Sequence, residues 1–185
     1  MTEDRFFDLI EPVLTAQKGT FEDGEEVADP PLDVLRYARR KVRVSWIPLL
    51  GSALSVTAIV RQPVDLGSSA IDHGRLLARL ARAVNSRFPP WQGLIIGLSV
   101  VILTPEPIGP DDEETLRKAL DEGARTLKRM RVVPFGLIRV NLGQGAVAFS
   151  LNSSVGELFS ESHRLADEFS EHFGRFVSLI GDDLK

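Results

Sequence analysis

Residues Gly93–Thr104 read GLIIGLSVVILT, twelve residues with no charge at either parity of an alternating pattern. A strand that faces water on one side alternates polar and apolar residues. A strand apolar at both parities belongs at the centre of a sheet with helices packed on both faces. At twelve residues the run falls short of the roughly 17–25 needed for a membrane-spanning helix. It is followed by PEPIGPDDEETLRKAL, a proline-rich bend opening into a helix whose first turn is acidic. Acids at a helix start complement its dipole, so the segment over 111–130 reads as a strand-following crossover helix.

Working outward from this junction gives the remaining elements. Thr2 is placed to cap a first helix with Phe6, Ile10 and Val13 at helical spacing, and Pro12 kinks or ends it. Residues 18–31, KGTFEDGEEVADPP, read as an acidic loop or linker, which makes 1–30 an N-terminal arm and 31–185 a single α/β domain. Leu32–Arg40 reads as a short helix with Leu32, Leu35 and Tyr37 or Ala38 inward. From Lys41 the period becomes two, through Val42, Val44 and Trp46, and a second alternating run covers Leu54–Val60. Together they form a hairpin. Ser68 or Ser69 caps a helix reaching about Asn85, with Leu76, Leu77, Leu80, Ala81 and Val84 as its apolar stripe. Two further strands, Val132–Asn141 and Ala146–Asn152, flank a glycine-containing turn. A final helix over about 155–180 places Leu165, Phe169, Phe173 or Phe176 and Ile180 on one side. The expectation is an α/β fold: a mixed sheet of about five strands in the order β-β-α-β-α-β-β-α, covered by helices and preceded by the helical arm.

Charge is distributed unevenly. Residues 1–30 have a net charge of −7 and residues 31–110 a net charge of +6, within a chain of net charge −4. The acidic arm is expected to lie across the basic middle. Arg75, Arg79 and Arg82 share a helix face opposite the apolar stripe, and with Arg36, Arg39, Arg40, Lys41 and Arg43 supply most of the positive charge. Basic side chains there are expected as a solvated face, because the chain is acidic overall and lacks interleaved aromatics, so no nucleic-acid partner is expected.

The chain has no cysteine, which excludes disulfides, thiol nucleophiles and cysteine-ligated metals, and fits a cytoplasmic location. The acidic N-terminus lacks the form of a secretory signal. The glycine of Gly143–Gln144–Gly145 lies between strands, so neither a P-loop nor a dinucleotide fingerprint is present. No cofactor or metal is expected. His163 and His172 lie on opposite sides of a straight helix, and His73 follows Asp72 near a helix start. A Ser–His–Asp arrangement using Ser52 lacks the nucleophile-elbow pattern.

Open α/β sheets gather ligands at the carboxyl ends of their strands. The ligand-binding candidates are therefore Arg61, Asp65, Glu106, Asp111 and Asn141, with the carboxylates suited to a cation and Arg61 to a phosphate or carboxylate. Phe159, Phe169, Phe173 and Phe176 are candidates for an interface on the terminal helix, which implies self-association or a protein partner. The expected function is a non-enzymatic interaction, adaptor or chaperone-like module, since the chain has three histidines, no cysteine and no phosphate-cradle motif. The alternative is a small-molecule or phosphate-binding enzyme using the strand-end loops.

Overall fold

A computed structural model of the chain describes residues 1–27, 31–43, 52–90, 95–127, 130–152, 171 and 173–181. The elements are helix α1 (Glu3–Leu14), strands β1 (Thr20–Asp23), β2 (Glu26–Val27), β3 (Leu32–Arg43) and β4 (Ser52–Arg61), helix α2 (Ala70–Arg87), strand β5 (Ile95–Leu103), helix α3 (Asp112–Thr126), and strands β6 (Val132–Asn141) and β7 (Ala146–Leu151). A terminal helical stretch over 173–181 is α4. The seven strands form one mixed sheet in the order β1-β3-β4-β5-β6-β7, with β2 also paired to β3. The β4–β5 and β5–β6 pairs are parallel and the others antiparallel.

The uncharged run lies where its composition requires. Strand β5 sits between two parallel neighbours, and Ile96 to Leu103 are buried. Ile96, Leu98, Val100 and Ile102 meet α2 and α3, while Val101 and Leu103 join the opposite cluster beneath α1 and α4. The result is three layers, helix–sheet–helix. Both crossover helices, α2 and α3, pack on the same face, against Val56, Leu98 and Leu137. Gly123 of α3 comes so close to Leu77 of α2 that a methyl group there would overlap its side chain.

Helix caps follow the sequence. Thr2 accepts from the Arg5 N–H at 3.4 Å, and the Ser69 hydroxyl accepts from the Asp72 N–H at 3.2 Å. Helix α1 buries Phe6, Ile10 and Leu14, so Leu14 takes the inward position expected of Val13, and the helix ends two residues after Pro12. Phe173, Phe176 and Ile180 face inward on α4.

Two expectations need correction. Leu32–Arg40 is not a helix but most of β3. A bulge between Val34 and Arg36 changes the parity of the strand, so Leu32 and Val34 face α2 while Ala38 and Val42 face α1. One extra residue converts a period of two into a spacing that resembles a helix. The segment read as a linker contains β1 and β2, which raises the strand count from five to seven. Antiparallel pairing sets Thr20 opposite Arg39 and Asp23 opposite Arg36, so the acidic residues do lie across the basic strand. Arg39 reaches Glu22 at 2.5 Å, and Arg87 of α2 reaches Glu25 at 2.9 Å. Trp46, Trp91, Phe159, Leu165, Phe169, His163 and His172 lie outside the described residues. No helix among the described residues is long and apolar enough to cross a membrane.

Candidate functional site

The side chains proposed from sequence divide between two places. At the carboxyl end of β4, Arg61 donates to both Glu3 oxygens, at 3.0 and 2.7 Å, and to Asp33 at 2.6 Å. Arg61, Asp33 and Asp65 line an open cleft together with Pro31, Pro63 and Val64. The Glu3 carboxylate holds the Arg61 guanidinium above its ordinary pKa, and the same contact holds the Glu3 carboxyl below the usual range.

Glu106 belongs to a second cluster, at the ends of β5 and β6. Its centre is Arg139, which β6 projects toward α2 and α3 with a relative exposure of 1%. Arg139 is hydrogen-bonded to Asp112 at the start of α3 and contacts Glu106 at 3.3 Å and Thr104 at 3.4 Å. Glu106 accepts a short hydrogen bond from Ser68. That bond first, then the amide of Gln62 and the Arg139 charge, hold the Glu106 carboxyl below its usual range. His73 of α2 is 2% exposed, with no hydrogen-bond partner at either ring nitrogen. Burial, reinforced by Arg139, pushes its pKa down, while Asp112, Asp72 and the nearby Ser69 backbone oppose the shift.

Asp111 is displaced by one residue from the chemistry. It occupies the N-cap position of α3, exposed and without a side-chain capping bond, while Asp112 turns inward to Arg139 and accepts from the Gly109 N–H at 2.6 Å. Asn141 is a brace rather than an open ligand position. Its amide nitrogen donates to the Pro105 and Glu106 carbonyls at 3.1 and 2.8 Å, and its oxygen accepts from the Gln144 N–H at 2.7 Å. These bonds fix the β5–α3 loop against the β6–β7 turn.

Of the four interface candidates, Phe159 and Phe169 lie outside the described residues, and Phe173 and Phe176 are turned inward. They are 3% and 2% exposed, and a methyl group on Gly136 would overlap the Phe173 ring. Both rings cover the sheet and offer no surface to a partner. With Leu14 and Phe135 they enclose a cavity with room for about one water, floored by Ser55, Thr57 and Ser99.

The strand-end cluster is closed for a topological reason. Ligand crevices open where successive crossovers leave on opposite faces of a sheet. Here α2 and α3 share one face, and β4, β5 and β6 follow in order, so this part of the sheet has no switch point. The side chains therefore neutralise one another. Neither serine hydroxyl nearby is bonded to the His73 ring: that of Ser68 goes to Glu106 and that of Ser69 to Asp72. Ser52 begins β4 at the opposite end, about 30 Å from the strand's far end at strand spacing. Among the described residues no group of three or more His, Asp or Glu is placed to hold a metal ion.

Sequence reading missed Arg139, the bond from Ser68 to Glu106 and the burial of His73, and it put Asp111 ahead of Asp112. The available signal was Arg139 itself, the lone charged residue in the strand VVPFGLIRVN. Comparison of the chain with protein families, with characterised proteins and with solved structures finds no match in any of the three.

Proposed function

We propose that the protein is a non-enzymatic interaction module that docks a cationic segment of a protein partner on its acidic face. Support comes from the groove between α1 and β1. Asp4, Asp8 and Glu11 form one wall, Glu22 and Asp23 the other, and Phe7 and Phe21 lie between them with ring centroids 6.3 Å apart. The observation that carries the reading is Arg36. Its guanidinium lies 5.3 Å from the centroid of the Phe7 ring and 3.1 Å from Asp23, whose side chain is 91% exposed. The chain's own arginine thus displays the pairing that an arginine or lysine of a partner can repeat along the groove.

The same charge disfavours a symmetric dimer through this face, since two copies would bring like carboxylates together. Phe173 and Phe176 are turned inward and so supply no apolar surface for self-association. A partner other than a second copy is therefore the stronger form of the reading, in a cytoplasmic setting consistent with the absence of cysteine.

A fluorescent peptide alternating arginine and leucine tests this, with a glutamate–leucine peptide as control. The basic peptide is expected to bind with an affinity that falls as salt is raised, and the combined variant Asp8→Asn, Glu11→Gln is expected to weaken it. Equal binding of both peptides, or indifference to the variant, would refute the proposal.

A further inference from the structure

The strand-end cluster contains more hydrogen-bonding capacity than the chain uses. His73 is buried with both ring nitrogens unpartnered, and Arg139 is buried with its Nε unpartnered. Buried polar groups of this kind normally find a partner, and each exception asks for a reason. The cluster also stands at the N-terminal ends of α2 and α3, helices of 18 and 15 residues, where the field favours negative charge.

Its two carboxylates are not equivalent. Asp112 belongs to α3, and its side chain is 13% exposed. Glu106 belongs to the loop between Pro105 and Pro107, and its side chain is 43% exposed. One carboxylate is fixed by the helix; the other can leave toward solvent without moving a helix or strand. While in place, Glu106 occupies a position lined by a hydroxyl, a guanidinium and the start of α2, as an external anion would.

We infer that this cluster is a binding site for a small oxyanion, a phosphate or carboxylate group, which displaces the Glu106 carboxylate from Arg139 and Ser68 and gains a further donor from His73. The site is independent of the acidic docking face and does not rest on that reading. With Glu106 displaced, Asp112 still balances Arg139, and the bound anion, in direct contact with His73, replaces the Glu106 charge at closer range. The His73 imidazole is then driven to take a proton from solvent, with Asp72 and Asp112 favouring the cation and Arg139 opposing it. Anion binding is thereby coupled to proton uptake.

Isothermal titration of the full chain with inorganic phosphate, and separately with acetate, tests this at pH 6 and pH 8 in two buffers of different ionisation enthalpy. The expected result is saturable binding, tighter at pH 6, accompanied by proton uptake. The preferred anion then distinguishes a phosphate from a carboxylate ligand. Glu106→Gln is expected to bind about tenfold more tightly, since it removes a like charge from the site. His73→Gln is expected to abolish proton uptake. Should His73→Gln fail to fold, Glu106→Gln decides alone, because Glu106 lies on a half-exposed loop and Asp112 still pairs with Arg139. Absence of binding to both the natural chain and Glu106→Gln would overturn the inference. Equal affinity of the two proteins would do so as well, marking any binding as adventitious.

Discussion

Arg61 and Arg139 each hold two carboxylates, yet one does so in water and the other inside the protein. Arg61 is 53% exposed and joins α1 to the sheet through Glu3 and Asp33. Arg139 is 1% exposed and joins β6 to α3 and to the β5–α3 loop through Asp112 and Glu106. The same chemistry has different consequences in the two places. Water solvates the Arg61 partners when that ion pair opens, so little free energy is at stake. At Arg139, removing one partner strands the other in a poorly solvated site, which makes the loss large even where the intact pair adds little. Exposed charge is consequently available for recognition on the acidic face, and buried charge is committed to structure unless something replaces Glu106.

The largest expected effect is that of Arg139→Ala, which should cost about 3–5 kcal/mol in urea unfolding by leaving Asp112 without its cation. A loss below about 1 kcal/mol would mean that the cluster is well hydrated, and would erase the contrast.

The pH dependence separates the two centres next. His73 has a folded-state pKa below its ordinary value of 6.5. Its contribution is complete above 6.5, falls as the unfolded chain takes up a proton that the folded chain resists, and levels off once the folded pKa is passed. The slope from this one group cannot exceed about 1.4 kcal/mol per pH unit. Urea midpoints between pH 7.5 and 5 should fall, and His73→Gln should flatten that fall. Glu3 and Glu106, both held below 4.5, add a later loss: their contributions are complete above 4.5 and disappear as pH drops through their folded values.

Smaller still is Ser69→Ala, expected to cost about 1 kcal/mol by removing the α2 cap. Arg61→Ala should be the mildest, within about 1 kcal/mol. A thermal-shift series containing all three substitutions gives the order directly, and Arg61→Ala outranking Arg139→Ala would reverse the comparison.

The two centres also differ in how far the sequence reveals them. Strand β5 and helices α2 and α3 are legible because long apolar periodicity, caps and charge order agree in each. Strand β3 is obscured by the bulge after Val34, which makes Leu32, Leu35 and Ala38 look helical. Strands β1 and β2 are four and two residues long, polar, and stabilised by pairing with a basic strand that local pattern cannot supply. Arg61 and Glu106 were identifiable from their positions after strands. Their partners were not, since Glu3 is 58 residues from Arg61, and Ser68 is 38 residues from Glu106. Asp111 was chosen over Asp112 because composition marks an acidic helix start without saying which acid turns inward.

A pair of double-mutant cycles tests the central contrast most directly: Arg139→Met with Asp112→Asn, and Arg61→Met with Glu3→Gln, each followed by urea unfolding. A coupling of about 2 kcal/mol or more is expected for the buried pair, and under about 0.5 kcal/mol for the exposed one. Equal couplings would contradict the account.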